Sequence, residues 1–253
     1  MISVALIIQN EEKNIIDCLD TVSWADEIVV VDDYSTDRTI EVINSMPYIN
    51  KIKVFKRELK SDFSSQRNFA LSKTTKEWIL FVDADERITK ELREEINSLL
   101  INKKGHSAAG FYIPRRDVMW GKMLMHGETG QVSLLRFAKR NSGIWHGKVH
   151  ETWVVDGPTE ILENYIIHYP HPTLDEFLKE INFYTTIRAK ELFDEKINVS
   201  GKDILLYPKG KFLQNYFLRM GFMDGVEGLI VAILMSFHSF LVRGKLWLLW
   251  KKK

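Results

Sequence analysis

The sequence predicts an α/β protein: a mostly parallel sheet flanked by helices, with a helical C-terminal appendage. Three observations carry this reading. Apolar runs of strand length alternate with helical periodicity over the first hundred residues. Three of those runs stop abruptly in polar or acidic clusters, at Asn10-Glu11-Glu12, Asp32-Asp33 and Asp83-Ala84-Asp85-Glu86. From residue 201 the composition turns apolar and basic, with nine Lys/Arg against three Asp/Glu, while the remainder is net −5.

Residues 2–8 form the first strand, in place of a signal peptide, because no basic region precedes them and no small-residue cleavage site follows. A helix over about 13–22 sets Ile15, Ile16, Leu19 and Val22 on one face. Residues 27–31 make a second strand, and the Asp, Ser and Thr that follow supply a turn and a cap for a helix over roughly 38–45. A third strand occupies 51–55 and a helix 63–72. Trp78 to Val82 is a strand apolar on both faces, as expected of one buried within a parallel sheet. A helix over 89–100 opens at Thr89 with Glu91 in its first turn. Strands are expected at 110–114 and 132–137, an apolar run precedes His168, and 174–193 is a long helix. The domain division expected is 1–200 for the α/β body (1–100, 101–172 and the packing helix 173–200) and 201–253 for an amphipathic helical tail.

Asp83 and Asp85 lie just past a strand end, where open α/β sheets bind ligands. Two clustered carboxylates repel unless positive charge lies beside them. A divalent cation carrying a nucleoside diphosphate is one such counter-charge, since hard cations take carboxylate and phosphate oxygens together. The competing reading is that both acids only cap the next helix. No G-x-G-x-x-G and no G-x-x-x-x-G-K-[ST] follows any strand, which excludes a dinucleotide fingerprint and a P-loop. Cys18, the single cysteine, excludes a disulfide framework and a cysteine metal site and suits a reducing compartment.

Asn10-Glu11-Glu12, Val31 to Asp37, Gln66-Arg67-Asn68 and Phe81-Val82-Asp83-Ala84-Asp85, in this order and spacing, resemble the nucleotide-sugar half of family 2 glycosyltransferases of the GT-A fold. The resemblance is to enzymes that add sugars to lipopolysaccharide core and extends through most of the chain. Tyr34 departs from it, standing where the family usually has Gly. The resemblance implies that Asp32 or Asp33 meets a uracil and ribose, that Asp83 and Asp85 hold Mg²⁺ or Mn²⁺ against the diphosphate, and that Arg67 faces the same pocket. Asn10 and Glu11 either touch the nucleotide or cap the first helix. The Val149-His150-Glu151 triplet resembles the segment that presents the base in related core glycosyltransferases, which nominates Glu151, with His150 orienting it or contacting the acceptor. Asp117 and Asp156 are the fallback bases. His168 is either a third metal ligand or a structural histidine. Trp120, Trp145 and Trp153 suit sugar stacking or the core.

In the tail, Gly228 to Val242 is a 15-residue run without a charge, short of the ~20 residues that span a bilayer. Together with Trp247, Trp250 and the terminal lysines, it fits helices lying in a membrane interface; packing on the body or dimerisation are the alternatives. The expectation is therefore an inverting, metal-dependent glycosyltransferase. It takes a hexose from a nucleotide-sugar donor, a UDP-sugar, and passes it to a lipid-linked saccharide acceptor on the cytoplasmic face of a bacterial plasma membrane, with no nucleic-acid partner and homo-oligomerisation left open. Transfer to a polyprenyl phosphate and a non-catalytic nucleotide-binding membrane module are the rival readings.

Overall fold

A computed structural model describes residues 1–101, 107–147 and 151–252. The chain divides into two compact units, one of residues 1–115 with 133–168 and one of residues 116–132 with 169–253. This division falls elsewhere than at residue 200: the long helix after His168 groups with the tail.

The first unit is built on a mixed sheet. Strands β1 (Ile2–Ile8), β2 (Glu27–Asp32), β3 (Ile52–Lys56) and β4 (Trp78–Phe81) lie in the order β3-β2-β1-β4, all parallel. Helices α1 (Ile15–Val22), α2 (Thr39–Asn44), α3 (Phe63–Lys73) and α4 (Lys90–Ile101) alternate with them. Beyond β4 the sheet continues through β8 (Val132–Lys139), β6 (Gly110–Met119), β12 (Ile166–His168) and β5 (Glu86–Ile88). Here β8 is antiparallel to β4, and β12 antiparallel to β5. The alternating α/β body is therefore as the sequence predicts, with an antiparallel extension. β5 is too short to carry a period, and only its pairing with β12, Glu86 opposite His168, defines it. A separate hairpin joins β9 (Gly143–His146) and β10 (Thr152–Val155).

Burial explains these strands. Every residue of β2 and β4 is buried, as their continuous apolar character requires. One face packs Ile15, Leu19 and Val22 of α1 and Leu92 and Ile96 of α4 onto Val4, Leu6 and Leu80. The opposite face packs Phe81 against Trp145 and Trp153, with ring centroids 5.0 and 5.1 Å away, edge to face. The two indoles stack at 5.5 Å. Trp145 and Trp153 are thus core, which decides against sugar stacking by their faces.

The second unit holds the far end of β6, β7 (Lys122–Met123), α5 (Leu174–Asp194), α6 (Gly201–Leu213) and α7 (Gly225–Lys251). Ser200 and Asp203 form a reciprocal capping box that starts α6. The loop before α7 is pinned by the buried Asp224 carboxylate, which accepts the His126 and Met125 N–H groups at 2.8 and 3.1 Å and contacts His126 Nδ1 at 2.9 Å. Gly228 must be a glycine, because a Cβ there would collide with the Gly221 carbonyl. α7 runs 27 residues, through the charges at Glu227 and Arg243 that bound the apolar run in the sequence. The helical stretch Gly221–Lys251 is long and apolar enough to cross a membrane by length and composition, with a mean hydropathy of 1.8 over its most apolar 18 residues. The charge-free run understates it, since a helix is not ended by a charged side chain.

Candidate active site

The site forms where β4 ends. Four residues with no strand or helix of their own join β4 to β5, and they turn the acidic cluster across the sheet's carboxyl edge. Asp83 Oδ1 accepts from Arg67 Nη2 at 2.9 Å, and Asp83 Oδ2 from Arg136 Nη2 at 2.5 Å. Both guanidinium groups are buried, at 5% and 7% side-chain exposure. Arg67 comes from α3, and its charge is also cradled by the Trp145 ring at 4.8 Å. Arg136 comes from β8, an arginine in the middle of an apolar strand. The counter-charge expected for Asp83 was a cation; the structure supplies two arginines.

Glu86 is wholly buried and its Oε2 accepts the Asp83 N–H at 3.0 Å, with Arg136 3.6 Å from its other oxygen. Burial pushes the Glu86 carboxyl up, against the pull of Arg136 and with the Asp83 charge adding to the rise. Asp83 moves the other way: burial would raise it, but the two arginines hold it far below the usual carboxylate range. Two acids three residues apart are thereby driven to opposite protonation behaviour, the arrangement that marks functional sites.

Glu151 joins the same cluster. Its Oε1 accepts from Arg67 Nε at 2.8 Å, and its side chain is 16% exposed. Its Oε2 takes no hydrogen bond among the described residues. A recess of about 160 Å³ lies against it, lined also by Arg136, Tyr112, Ser133 and Thr152. Asn68, next to Arg67 on α3, exchanges two 2.9 Å hydrogen bonds with the Trp145 backbone and so fixes α3 to β9. His150, the proposed companion of Glu151, lies outside the described residues.

Asp85 makes no ion pair with Arg67 or Arg136 among the described residues and meets His168 Nε2 at 3.2 Å, with 30% of its side chain exposed. Glu11 is nearby: burial raises its carboxyl, the Asn14 hydrogen bond lowers it, and the charges of Asp85, Asp37 and Asp83 raise it further. Among the described residues no three His, Cys, Asp or Glu side chains converge as a metal-binding group; the donors a divalent cation would find here are the Asp85 carboxylate and the His168 imidazole, with phosphate oxygens needed to complete the shell. A cation fits less well at Asp83, whose two oxygens are already taken.

At the other end of the site, Asn10 adopts a φ of +56° and its Oδ1 accepts the Thr36 N–H at 2.7 Å, tying the loop after β1 to the loop after β2. Asp33 Oδ1 accepts the Leu59 N–H at 2.9 Å. Asp32 is fully buried; Oδ1 accepts from the Ser35 N–H at 3.1 Å, and Oδ2 has no donor among the described residues. Tyr34 has a φ of +51°, the left-handed conformation that glycine favours, so the departure from the family pattern keeps the turn and changes only the residue. The fallback bases fall outside this cluster: Asp117 is buried in the second unit's segment of β6, and Asp156 lies past β10 with its N–H bonded to the Ser142 carbonyl. Arg136 and Glu86 are the site residues sequence reasoning missed; a charged residue inside the apolar run 132–137 was the available signal.

Comparison with known proteins follows the same lines. The chain is 27% identical over 249 residues to the lipopolysaccharide core biosynthesis glycosyltransferase LpsC of Rhizobium meliloti (strain 1021), covering 97% of this chain and 92% of that one. It is 26% identical over 256 residues to an uncharacterised glycosyltransferase of Rickettsia typhi, covering 97% and 86%. Among solved structures, Staphylococcus aureus TarS 1–349 superimposes with a TM-score of 0.49 at 18% identity, over 100% of this chain and 92% of that one, a likeness too low to carry an argument. The profile of glycosyl transferase family 2 matches residues 3–153, more than half of the chain, and this protein therefore belongs to that family.

Proposed function

We propose that this glycosyltransferase is an inverting, metal-dependent enzyme. In this reading it moves a hexose from a UDP-sugar to a lipid-linked saccharide of the lipopolysaccharide-core type, at the cytoplasmic face of the membrane. The observation that carries the reading is the chain Glu151–Arg67–Asp83, which joins the nominated base to the acidic turn after β4. In the transfer, the bond from the anomeric carbon to the phosphate oxygen breaks as a bond to the acceptor hydroxyl forms on the opposite face. The hydroxyl proton passes to Glu151 Oε2, and the nucleoside diphosphate leaves with the bonding electrons.

Arg67 orients the Glu151 carboxylate, leaving one oxygen for the acceptor. Asp83 locks both arginines and so acts as a positioning residue. The Asp32 Oδ2 acceptor, buried and without a donor among the described residues, suits an imide or hydroxyl of the nucleoside, since an unpaired buried acceptor costs free energy until a donor meets it. Asn10 and Glu11 shape the same edge. A divalent cation held by Asp85 and His168 would offset the charge growing on the diphosphate. The lipid-linked acceptor is supported by the similarity to LpsC and by the tail. α7 is covered on one side by α5, a helix rich in Asp, Glu and Lys, and shows apolar side chains such as Phe237, Phe240 and Leu248 to solvent. That arrangement suits a helix at the interface, because a charged neighbour cannot follow it into hydrocarbon.

The test is transfer from a panel of nucleotide sugars to extracted lipid acceptors by the wild-type protein and by Asp85→Ala and Glu151→Gln. Loss of transfer in both folded variants supports the assignments. Full activity in either removes that residue's role, and UDP binding by calorimetry without any turnover favours a non-catalytic module.

A further inference from the structure

The second unit contains a groove that the sugar-transfer chemistry does not use. It lies among α5, α6 and α7 and has a volume of about 600 Å³, the size of a small-molecule site. Its apolar wall is Leu192, Leu206 and Val242. Its charged lining is Arg188, Lys211 and Arg243, with no Asp or Glu among the lining residues. Arg188 and Lys211 are held by Glu191 and Glu128 at 2.9 and 2.8 Å. Arg243 differs: its guanidinium lies over the Tyr207 ring at 4.1 Å, and among the described residues it makes no ion pair.

Arg243 stands half-buried between Val242 and Gly244 of α7. The backbone opens the groove as well. Gly210 of α6 contributes no side chain to it, and Ser236 of α7 donates to the Pro208 carbonyl at 2.8 Å, fixing the two helices beside the opening. Around the groove, Leu205, Leu206, Tyr207 and Leu213 of α6 are exposed. The combination is three cations at the lining, of which Arg243 alone is in no direct ion pair among the described residues and feels the Asp203 carboxylate only at longer range, with an apolar wall and an apolar rim.

The geometry points to a binding site for a single anionic glycerophospholipid, its phosphate on Arg243 with Lys211 and Arg188 around it and an acyl chain along Leu192, Leu206 and Val242. This deepens the proposed membrane attachment: diffuse apolar contact becomes recognition of a headgroup charge. It is independent of which sugar is transferred.

The test uses the full chain in solution with dihexanoyl phosphatidylglycerol below its micelle-forming concentration, read by calorimetry. Dihexanoyl phosphatidylcholine and inorganic phosphate are the comparison ligands. The expected result is binding of the anionic lipid over both. Arg243→Gln weakens it by about fivefold or more, the worth of one basic group near an anionic surface. Gly210→Leu abolishes it by filling the groove; this change favours the helix, and a Cβ there meets nothing within 4 Å. Wild-type binding by both variants overturns the site, as does equal affinity for phosphatidylcholine. Phosphate binding as tightly as the lipid reassigns the groove to a free anion and overturns the lipid. Flotation with vesicles of equal parts phosphatidylcholine and phosphatidylglycerol separates the two readings. Capture by vesicles without binding of the short-chain lipid sinks the groove and keeps membrane attachment, whereas short-chain binding without capture does the reverse.

Discussion

Arg67 Nε donates to Glu151 Oε1 at 2.8 Å across 84 residues of sequence, and this contact ties the hairpin segment bearing Glu151 to the helix that also reaches Asp83. Gln at position 151 can still accept that hydrogen bond through its amide oxygen but cannot take a proton. Glu151→Gln is therefore expected to lower kcat by roughly 10²–10⁴-fold with KM for the donor and the melting temperature nearly unchanged. A loss confined to KM would move Glu151 from proton transfer to binding.

Arg136 neutralises Asp83 and faces Glu86; Arg136 and Glu86 are buried and Asp83 is partly exposed. Arg136→Met removes the charge and keeps the volume, leaving two acids in contact without it. The expected cost is about 3–5 kcal/mol in urea denaturation at neutral pH, as for one partner taken from a buried ion pair. The loss should shrink on acidification, since protonating Glu86 relieves the repulsion.

Glu27 gives the acid limb of stability. Burial would raise its carboxyl, but hydrogen bonds from Lys53, Ser3 and Thr75 override this and bring it to about 2. Its folded value lies below the unfolded one, so the stabilisation is complete above the unfolded carboxylate range and is lost as pH falls toward 2. Glu27→Gln should cost about 2 kcal/mol at pH 7 and almost nothing near pH 2, read from denaturation midpoints at the two pH values. Equal losses at both would assign its role to packing.

For the cation, dialysis against EDTA should abolish transfer and added Mn²⁺ should restore it in the wild type. Asp85→Ala should remain inactive with the metal present. His168→Ala should regain activity at raised Mn²⁺, with an activation constant higher by about 10-fold, because an imidazole supplies one ligand among several. Undiminished transfer in EDTA would exclude the cation.

Tyr34 holds a left-handed backbone and the residue is 57% exposed, so little packing opposes its removal. Tyr34→Gly is expected to stabilise the protein by about 0.5–1 kcal/mol, the strain of a side chain at positive φ less the entropy glycine adds to the unfolded chain. Differential scanning calorimetry reads this directly. A drop in melting temperature would mean that the ring packs more than its exposure implies.

The strands β1 to β4 and the helices between them were legible because each is a local pattern: continuous apolar runs for buried strands, a 3.6-residue period on α1 and α4, and polar turn residues at each strand end. Long-range pairing was not. β5 became a strand by lying antiparallel to β12, with Glu86 opposite His168, 82 residues away. Trp145 and Trp153 read equally as core or as sugar platforms until the fold stacked them on each other and set Phe81 edge to face against both.

What the sequence determined by itself is the acidic turn at Asp83-Ala84-Asp85-Glu86, the alternation that carries it to a sheet edge, and the charge asymmetry of the tail, all properties of neighbouring residues. What only the tertiary structure decided is which charge answers which. Asp83 is met by Arg67 and Arg136, Asp85 by His168, and Glu151 by the same Arg67. Electrostatic partnership depends on distance through a desolvated interior, and distances between separate elements are set by packing rather than by position along the chain.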